Sequence, residues 1–370
     1  MHVPFFSLTE LHERLASGLG ADLARVLSSG QLILGPELER FERAFAKFVG
    51  VRHAIGVGNG LDALTLILRS LGLTAGDEVI VPGHTFIATW LAAEQAGATI
   101  VPVEVDELTF NIDPEAVRRA ISPRTRAIIA VHLYGRPAPM AELRAIADPL
   151  GIPVVEDAAQ AHGAGVDGRF AGALGRAAAF SFYPTKNLGA LGDGGAVTTD
   201  DDSLAEHVRR LRNYGSARKY VHEFSGVNSR LDELQAAFLL RKLPDLAAAN
   251  EGRRRVVRLY LDGLKGAPGI RLPAPDPASV WHLFVVRTEN REALQAALAG
   301  RGVSTLAHYP TACHRQAAFV ERYGEADLPV SERLAREVLS LPLWPEMTEA
   351  QVDHVIRSVC EAADALQRPT

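Results

Sequence analysis

Two cysteines in 370 residues, Cys313 and Cys360, cannot build a disulfide framework, and they lack the spacing of metal ligands. Neither charge sign dominates: Lys+Arg is 39, Asp+Glu is 44, and the net charge is −5. With no basic stripe, nucleic acid is not the expected partner. The run Arg253-Arg254-Arg255 with Arg258 reads as a solvated helix face. No segment reaches the roughly 18 consecutive apolar residues of a membrane span, and the start, MHVPFFSLTELHERL, lacks a basic region followed by a long apolar stretch. The expectation is a cytoplasmic protein without membrane contact. There is no G-x-S-x-G elbow, and the histidines show no H-E-x-x-H spacing, so neither a serine triad nor a metal site is expected. Internal repeats and low-complexity linkers are missing too.

What is present is alternation. Short apolar runs at His53–Val57, Glu78–Pro82, Thr99–Val103, Ala127–Val131, Pro153–Glu156, Ala178–Phe182 and Gly195–Thr199 alternate with helical patterns such as Leu61–Leu71 and Glu142–Leu150. That order predicts an α/β fold with a mostly parallel, seven-stranded sheet covered on both faces. A helix starts at Pro36, burying Leu38, Phe41, Phe45 and Phe48; another starts after Asp113-Pro114. After about Pro244 the pattern changes. A long helix through Arg253–Leu264, proline-rich turns, a strand at Trp281–Val286, a helix near Arg291–Leu298 and a capping box at Thr348-Glu349-Ala350-Gln351 suggest a smaller α+β unit. The expected division is 1–245 and 246–370.

In open α/β sheets ligands gather beyond the carboxyl ends of the strands. Asp157 follows one predicted strand, Ser181 and Lys186 follow another, and Gly58-Asn59-Gly60 follows a third. An acid, an amide (Gln160), a hydroxyl and an amine at one sheet edge are the equipment for pyridoxal phosphate, PLP. A buried lysine can be neutral and attack the aldehyde. Taken alone, Lys186 equally suits a surface, Asp157 a helix cap, and Gln160 a solvent-facing position. Gly58-Asn59-Gly60 opens a helix whose N–H groups suit a phosphate. It is not a dinucleotide fingerprint, because Leu61 stands where G-x-G-x-x-G needs its third glycine. Phe86, just past the next strand, can stack on a ring or simply pack in the core.

The motifs GDEVIVPGHTFIATW, NIDPEAV, VHLYG, VVEDAAQAHG, FSFYPTKNLGALGDGGAV, LRNYGS and GVNSRLDELQAA occur in this order. Together they resemble the DegT-type nucleotide-sugar aminotransferases over nearly the full chain, PLP enzymes of the aspartate-aminotransferase fold (fold type I). The resemblance implies that Lys186 forms the Schiff base and shuttles the proton. It puts Asp157 on the pyridine nitrogen and Gln160 on the ring oxygen. Ser181 and the backbone of Gly60 and Leu61 would hold phosphate, with Phe86 stacked on the ring. Asn228 matches the asparagine that reaches the phosphate from a neighbouring subunit, so a two-fold homodimer with shared sites is implied. Sugar or nucleotide contacts are expected from Tyr183, Lys219, Tyr220, Arg230, His308 and Tyr309. Sugar dehydrases of the family carry histidine in place of Lys186, which favours transamination here. The finer resemblance is to enzymes that aminate a dTDP-linked 3-keto-6-deoxyhexose with L-glutamate as donor. Amination of a 4-keto sugar or a ketocyclitol stays open, as does a PLP-binding regulator without turnover. His84 and Thr185 depart from the usual asparagine and glycine of that branch, and both flank predicted site residues.

Overall fold

The computed structural model describes residues 1–218 and 220–367. Its strands are β1 (His53–Val57), β2 (Glu78–Pro82), β3 (Thr99–Val103), β4 (Thr125–Val131), β5 (Val154–Asp157), β6 (Gly165–Val166), β7 (Arg169–Phe170), β8 (Ala177–Ser181), β9 (Gly195–Thr199), β10 (Ser216–Arg218), β11 (Val221–His222), β12 (Phe284–Arg287) and β13 (Val338–Leu341). The helices are α1 (Thr9–Ser29), α2 (Pro36–Val49), α3 (Gly60–Ser70), α4 (Ala88–Gln95), α5 (Pro114–Ala120), α6 (Met140–Ala147), α7 (Asp202–Leu211), α8 (Glu233–Lys242), α9 (Leu246–Gly263), α10 (Arg291–Gly300), α11 (Val320–Tyr323), α12 (Pro329–Glu337) and α13 (Glu349–Gln367).

Seven strands make one sheet in the order β1-β9-β8-β5-β4-β2-β3. The five from β8 to β3 are mutually parallel, and β9 runs antiparallel between β8 and β1. Alternation along each strand feeds two apolar layers. Ile55, Val57, Ala177 and Ala179 pack with α3, α4 and α7 on one face. Ala54, Ala178 and Phe180 pack with α2 and α8 on the other. Strands buried on both faces read as near-continuous apolar runs, which is why they stand out in the sequence.

Glu233, at the start of α8, accepts from the N–H groups of Gly35, Glu37 and Leu38 at 2.8–3.0 Å. A buried carboxylate thus satisfies the orphan donors at the start of α2, where Pro36 has none to offer. Glu156, fully buried in β5, accepts from the N–H groups of Gly172, Leu174 and Gly175 and pairs with His132. It pins the loop before β8, leaving its neighbour Asp157 for the sheet edge.

A separate apolar core joins α9, α10, α13, β12 and β13, and it includes Val3, whose N–H bonds Gly302 O at 2.8 Å. The capping box forms as expected: Thr348 N donates to Gln351 Oε1 at 2.9 Å, and Gln351 N to Thr348 Oγ1 at 3.3 Å. The strand expected from Trp281 begins only at Phe284. Trp281 adopts φ 48°, so the chain bends there before it enters the sheet. The long helix begins earlier than its sequence pattern suggested, at Leu246, and ends at Gly263. No described helix is long and apolar enough to cross a membrane.

Candidate active site

The carboxyl ends of β1, β2, β4, β5 and β8 open on one cavity of about 540 Å³. Its wall includes Gly60, Leu61, Phe86, Asp157, Gln160, Ser181, Tyr183, Lys186, His308 and Tyr309, ten of the residues expected from sequence.

Lys186 follows β8 in a tight turn, its N–H bonded to Tyr183 O at 2.8 Å. Burial pulls its amine down to about 8, and the facing charge of Asp157 resists that shift. Asp157 ends β5, and burial raises its carboxyl above the usual range. Thr89 Oγ1, on α4, donates to its Oδ2 at 2.9 Å, and Ala159 N donates to Oδ1 at 3.2 Å. Both bonds favour the charged form. No helix follows Asp157, so the capping alternative falls away. Gln160 Oε1 accepts from Tyr134 N at 2.6 Å, and its Nε2 donates to the Tyr309 hydroxyl at 3.0 Å. One amide hydrogen remains for a ligand in the cavity.

The opposite wall is the start of α3. Asn59 caps it, with Oδ1 accepting from Asp62 N at 2.8 Å. Ser229 then ties this end down, donating to Asp62 Oδ2 at 2.6 Å and accepting from Gly58 N at 2.9 Å. A Cβ on Gly60 would stand 2.8 Å from Ser181 Cβ, so only glycine lets the helix end and the serine meet. The first N–H groups of a helix beside a hydroxyl form an anion site.

At the rim, Phe86 is half exposed and lies 5.3 Å from the Tyr309 ring, tilted by 37°. Tyr183 is exposed. His308 bonds Ser340 Oγ through Nδ1 at 2.8 Å and stacks on Phe5. Asn228, Tyr220 and Arg230 do not line the cavity. Asn228 is exposed and bridges to Asn213, while Arg230 bonds Asn213 Oδ1 and lies over the Tyr214 ring. Lys219 lies outside the described residues. Of the two departures, Thr185 lines the cavity. His84 is buried behind it with Nε2 2.9 Å from the Tyr134 hydroxyl, and burial lowers its pKa to about 4. Sequence reasoning missed the cavity residues Asp193 and His282, and Thr89, which reaches the site through Asp157. No local signal marks Thr89, whose partner Asp157 lies 68 residues away. Among the described residues, no group of three or more acidic, histidine or cysteine side chains is placed to hold a metal.

An amine facing a buried acid across a parallel-sheet edge, with an anion site opposite, defines a PLP enzyme of fold type I. The chain belongs to the DegT/DnrJ/EryC1/StrS aminotransferase family, whose profile matches residues 16–360. It is 53% identical to a dTDP-3-amino-3,4,6-trideoxy-alpha-D-glucose transaminase of Streptomyces venezuelae, over 99% of this chain and 97% of that protein. The crystal structure of S. venezuelae DesV in complex with a ketimine intermediate superposes with a TM-score of 0.96 at 52% identity, covering all of both chains. The Bacillus subtilis NtdA structure, which holds PMP, superposes with a TM-score of 0.92 at 32% identity, covering 98% of this chain and 85% of that one. This protein is therefore a PLP-dependent aminotransferase. Its own residues fit the cofactor: an amine near neutrality, a buried acid and a helix end whose glycine leaves no room for a side chain.

Proposed function

We propose that this protein transfers the amino group of L-glutamate to a nucleotide-linked, dTDP-type 3-keto-6-deoxyhexose, giving a 3-amino-3,6-dideoxy sugar nucleotide. The observation that carries the chemistry is the meeting of Lys186, Asp157 and the α3 end in one cavity. The sugar class rests on the identity with the S. venezuelae transaminase. PLP, when bound, supplies the aldehyde that takes up an amino group and a ring that accepts electrons. Lys186 would hold it covalently through Nζ. Once free, that amine would move a proton from the donor's α-carbon to the cofactor carbon, and in the second half of a ping-pong cycle from the cofactor carbon to the sugar carbon. Asp157 keeps the ring nitrogen protonated by its charge. Thr89 and Ala159 fix the carboxylate. Gln160 offers its free amide hydrogen to the ring oxygen. Ser181 with the N–H groups of Gly60 and Leu61 receives the phosphate. Phe86 covers the ring face. Tyr183, His308 and Tyr309 are the sugar-facing candidates on the same chain.

Asn228, Tyr220 and Arg230 act, in this reading, from a second copy of the chain, making a homodimer with composite sites. Exposed Leu23, Leu27, Leu32, Ile33 and Leu34 along and after α1 support an apolar contact between copies. Residues 1–245 form the cofactor unit and 246–370 the smaller one, with Val3 reaching into the latter's core. Cys313 and Cys360 are unpaired, which agrees with a reducing, cytoplasmic location. The test is product NMR after incubation with L-glutamate and a dTDP-3-keto-6-deoxyhexose. A new C–N bond at C3 is expected. Amination only of 4-keto sugars or ketocyclitols would overturn the regiochemistry, and no amination at all would favour a regulator.

A further inference from the structure

His282 lines the cavity, is buried, and has no part in the scheme above. It occupies the bend between Trp281 and β12, and Arg253, buried rather than on the solvated face its sequence run suggested, holds its carbonyl through Nη1 at 3.2 Å. Its ring belongs to a chain of amides. His282 Nδ1 lies 3.1 Å from Asn187 Oδ1. Asn187 Nδ2 donates to Asn250 Oδ1 at 2.9 Å and to Val280 O at 3.0 Å. Asn250 Nδ2 in turn donates to His162 O at 2.9 Å. The two backbone carbonyls can only accept, so they dictate which end of each amide is NH₂. Asn187 Oδ1 is then an acceptor, and His282 Nδ1 must carry the hydrogen. Burial and the charges of Lys186 and Arg253, with His308 and His162 also facing it, hold the imidazole well below its ordinary pKa. A neutral ring protonated on Nδ1 keeps its lone pair on Nε2, the nitrogen left for the cavity.

We infer that His282 is a positioning residue for Lys186, gripping the Lys186–Asn187 turn through Asn187 and presenting Nε2 as an acceptor in the wall that the lysine shares. Lys186 must be released in the donor half of the cycle and return in the acceptor half, and its side chain is long and flexible. The anchor at Asn187 keeps its starting point fixed while the amine moves. This inference rests on the aminotransferase reading and deepens it.

Two substitutions and a spectrum test it. In His282→Asn the side-chain amide can still donate to Asn187; in His282→Leu nothing can. We expect His282→Leu to slow the glutamate and keto-sugar half-reactions by a similar factor, about 10- to 100-fold, because both use the lysine. His282→Asn should recover most of that loss. Slowing of one half-reaction only would make His282 a contact for that substrate and overturn the proposal. So would unchanged rates with a lowered Tm, which would mean packing alone. Independently, ¹⁵N NMR of histidine-labelled holoenzyme, with the His282→Asn spectrum giving the assignment, should show a neutral Nδ1–H ring from about pH 8 to about pH 6. An Nε2–H ring or an imidazolium would overturn the hold. If the wild-type protein shows no glutamate-driven change, the failure belongs to the function reading, and the NMR result decides the hold by itself.

Discussion

Asp157 shows how one side chain is tuned by its surroundings. Burial opposes its charge, while Thr89 and Ala159 restore part of it. A protonated ring nitrogen opposite would complete the pairing. Asp157→Asn keeps the shape and removes the charge. Cofactor binding should survive, but losing a charged hydrogen bond worth about 2–3 kcal/mol should slow the glutamate half-reaction by roughly 30- to 150-fold. Stopped-flow absorbance checks this; an unchanged rate would remove Asp157 from its role. Lys186, Asp157 and Gln160 were legible in the sequence because each lies at the end of a strong apolar run, inside a recognisable motif. Thr89 and His282 were not. Each is a single polar residue in otherwise ordinary surroundings, and its partner, Asp157 or Asn187, is distant in sequence. Glu156 and Glu233 sit within the same motifs as the site residues, yet the structure gives them anchoring work.

The end of α3 is the element on which the anion site depends. It is set by the Asn59 cap, by Ser229 reaching Asp62, and by the missing side chain at Gly60. Gly60→Ala would push a methyl against Ser181, an overpacking cost of about 1–3 kcal/mol. The affinity for PLP should fall by roughly tenfold or more. The control is Gly20→Ala on α1, where nothing lies within 4 Å of the added atom. Fluorescence titration of the cofactor would read both; equal affinities would refute the close approach. Most sheet strands were legible to within a residue or two, because burial on both faces leaves unbroken apolar runs. The bend at Trp281 was not, since a tryptophan at positive φ is imposed by packing rather than by local preference. Nor was the cap that Glu233 supplies to α2, a contact across almost 200 residues.

The order of strands lies beyond local sequence. Nothing in Gly195–Thr199 announces that β9 runs against its neighbours. Yet that reversal sets Gly195 opposite both Val57 and Ser181 and brings the α3 end to the β8 end. The cavity of one chain holds ten of the expected site residues, whereas Asn228, Tyr220 and Arg230 lie outside it. The proposed second copy would account for both facts. Mixing inactive Lys186→Ala and Asn228→Ala proteins should regenerate up to one intact site per hybrid dimer, with measurable activity. No recovery in demonstrated hybrids would rule out a shared site. Whether this cavity runs PLP transamination can be read from the visible spectrum of the purified holoenzyme. L-glutamate should bleach the band of the lysine-bound cofactor, a dTDP-3-keto-6-deoxyhexose should restore it, and Lys186→Ala should lack it from the start. A band that ignores glutamate, or one that persists in Lys186→Ala, would contradict the account.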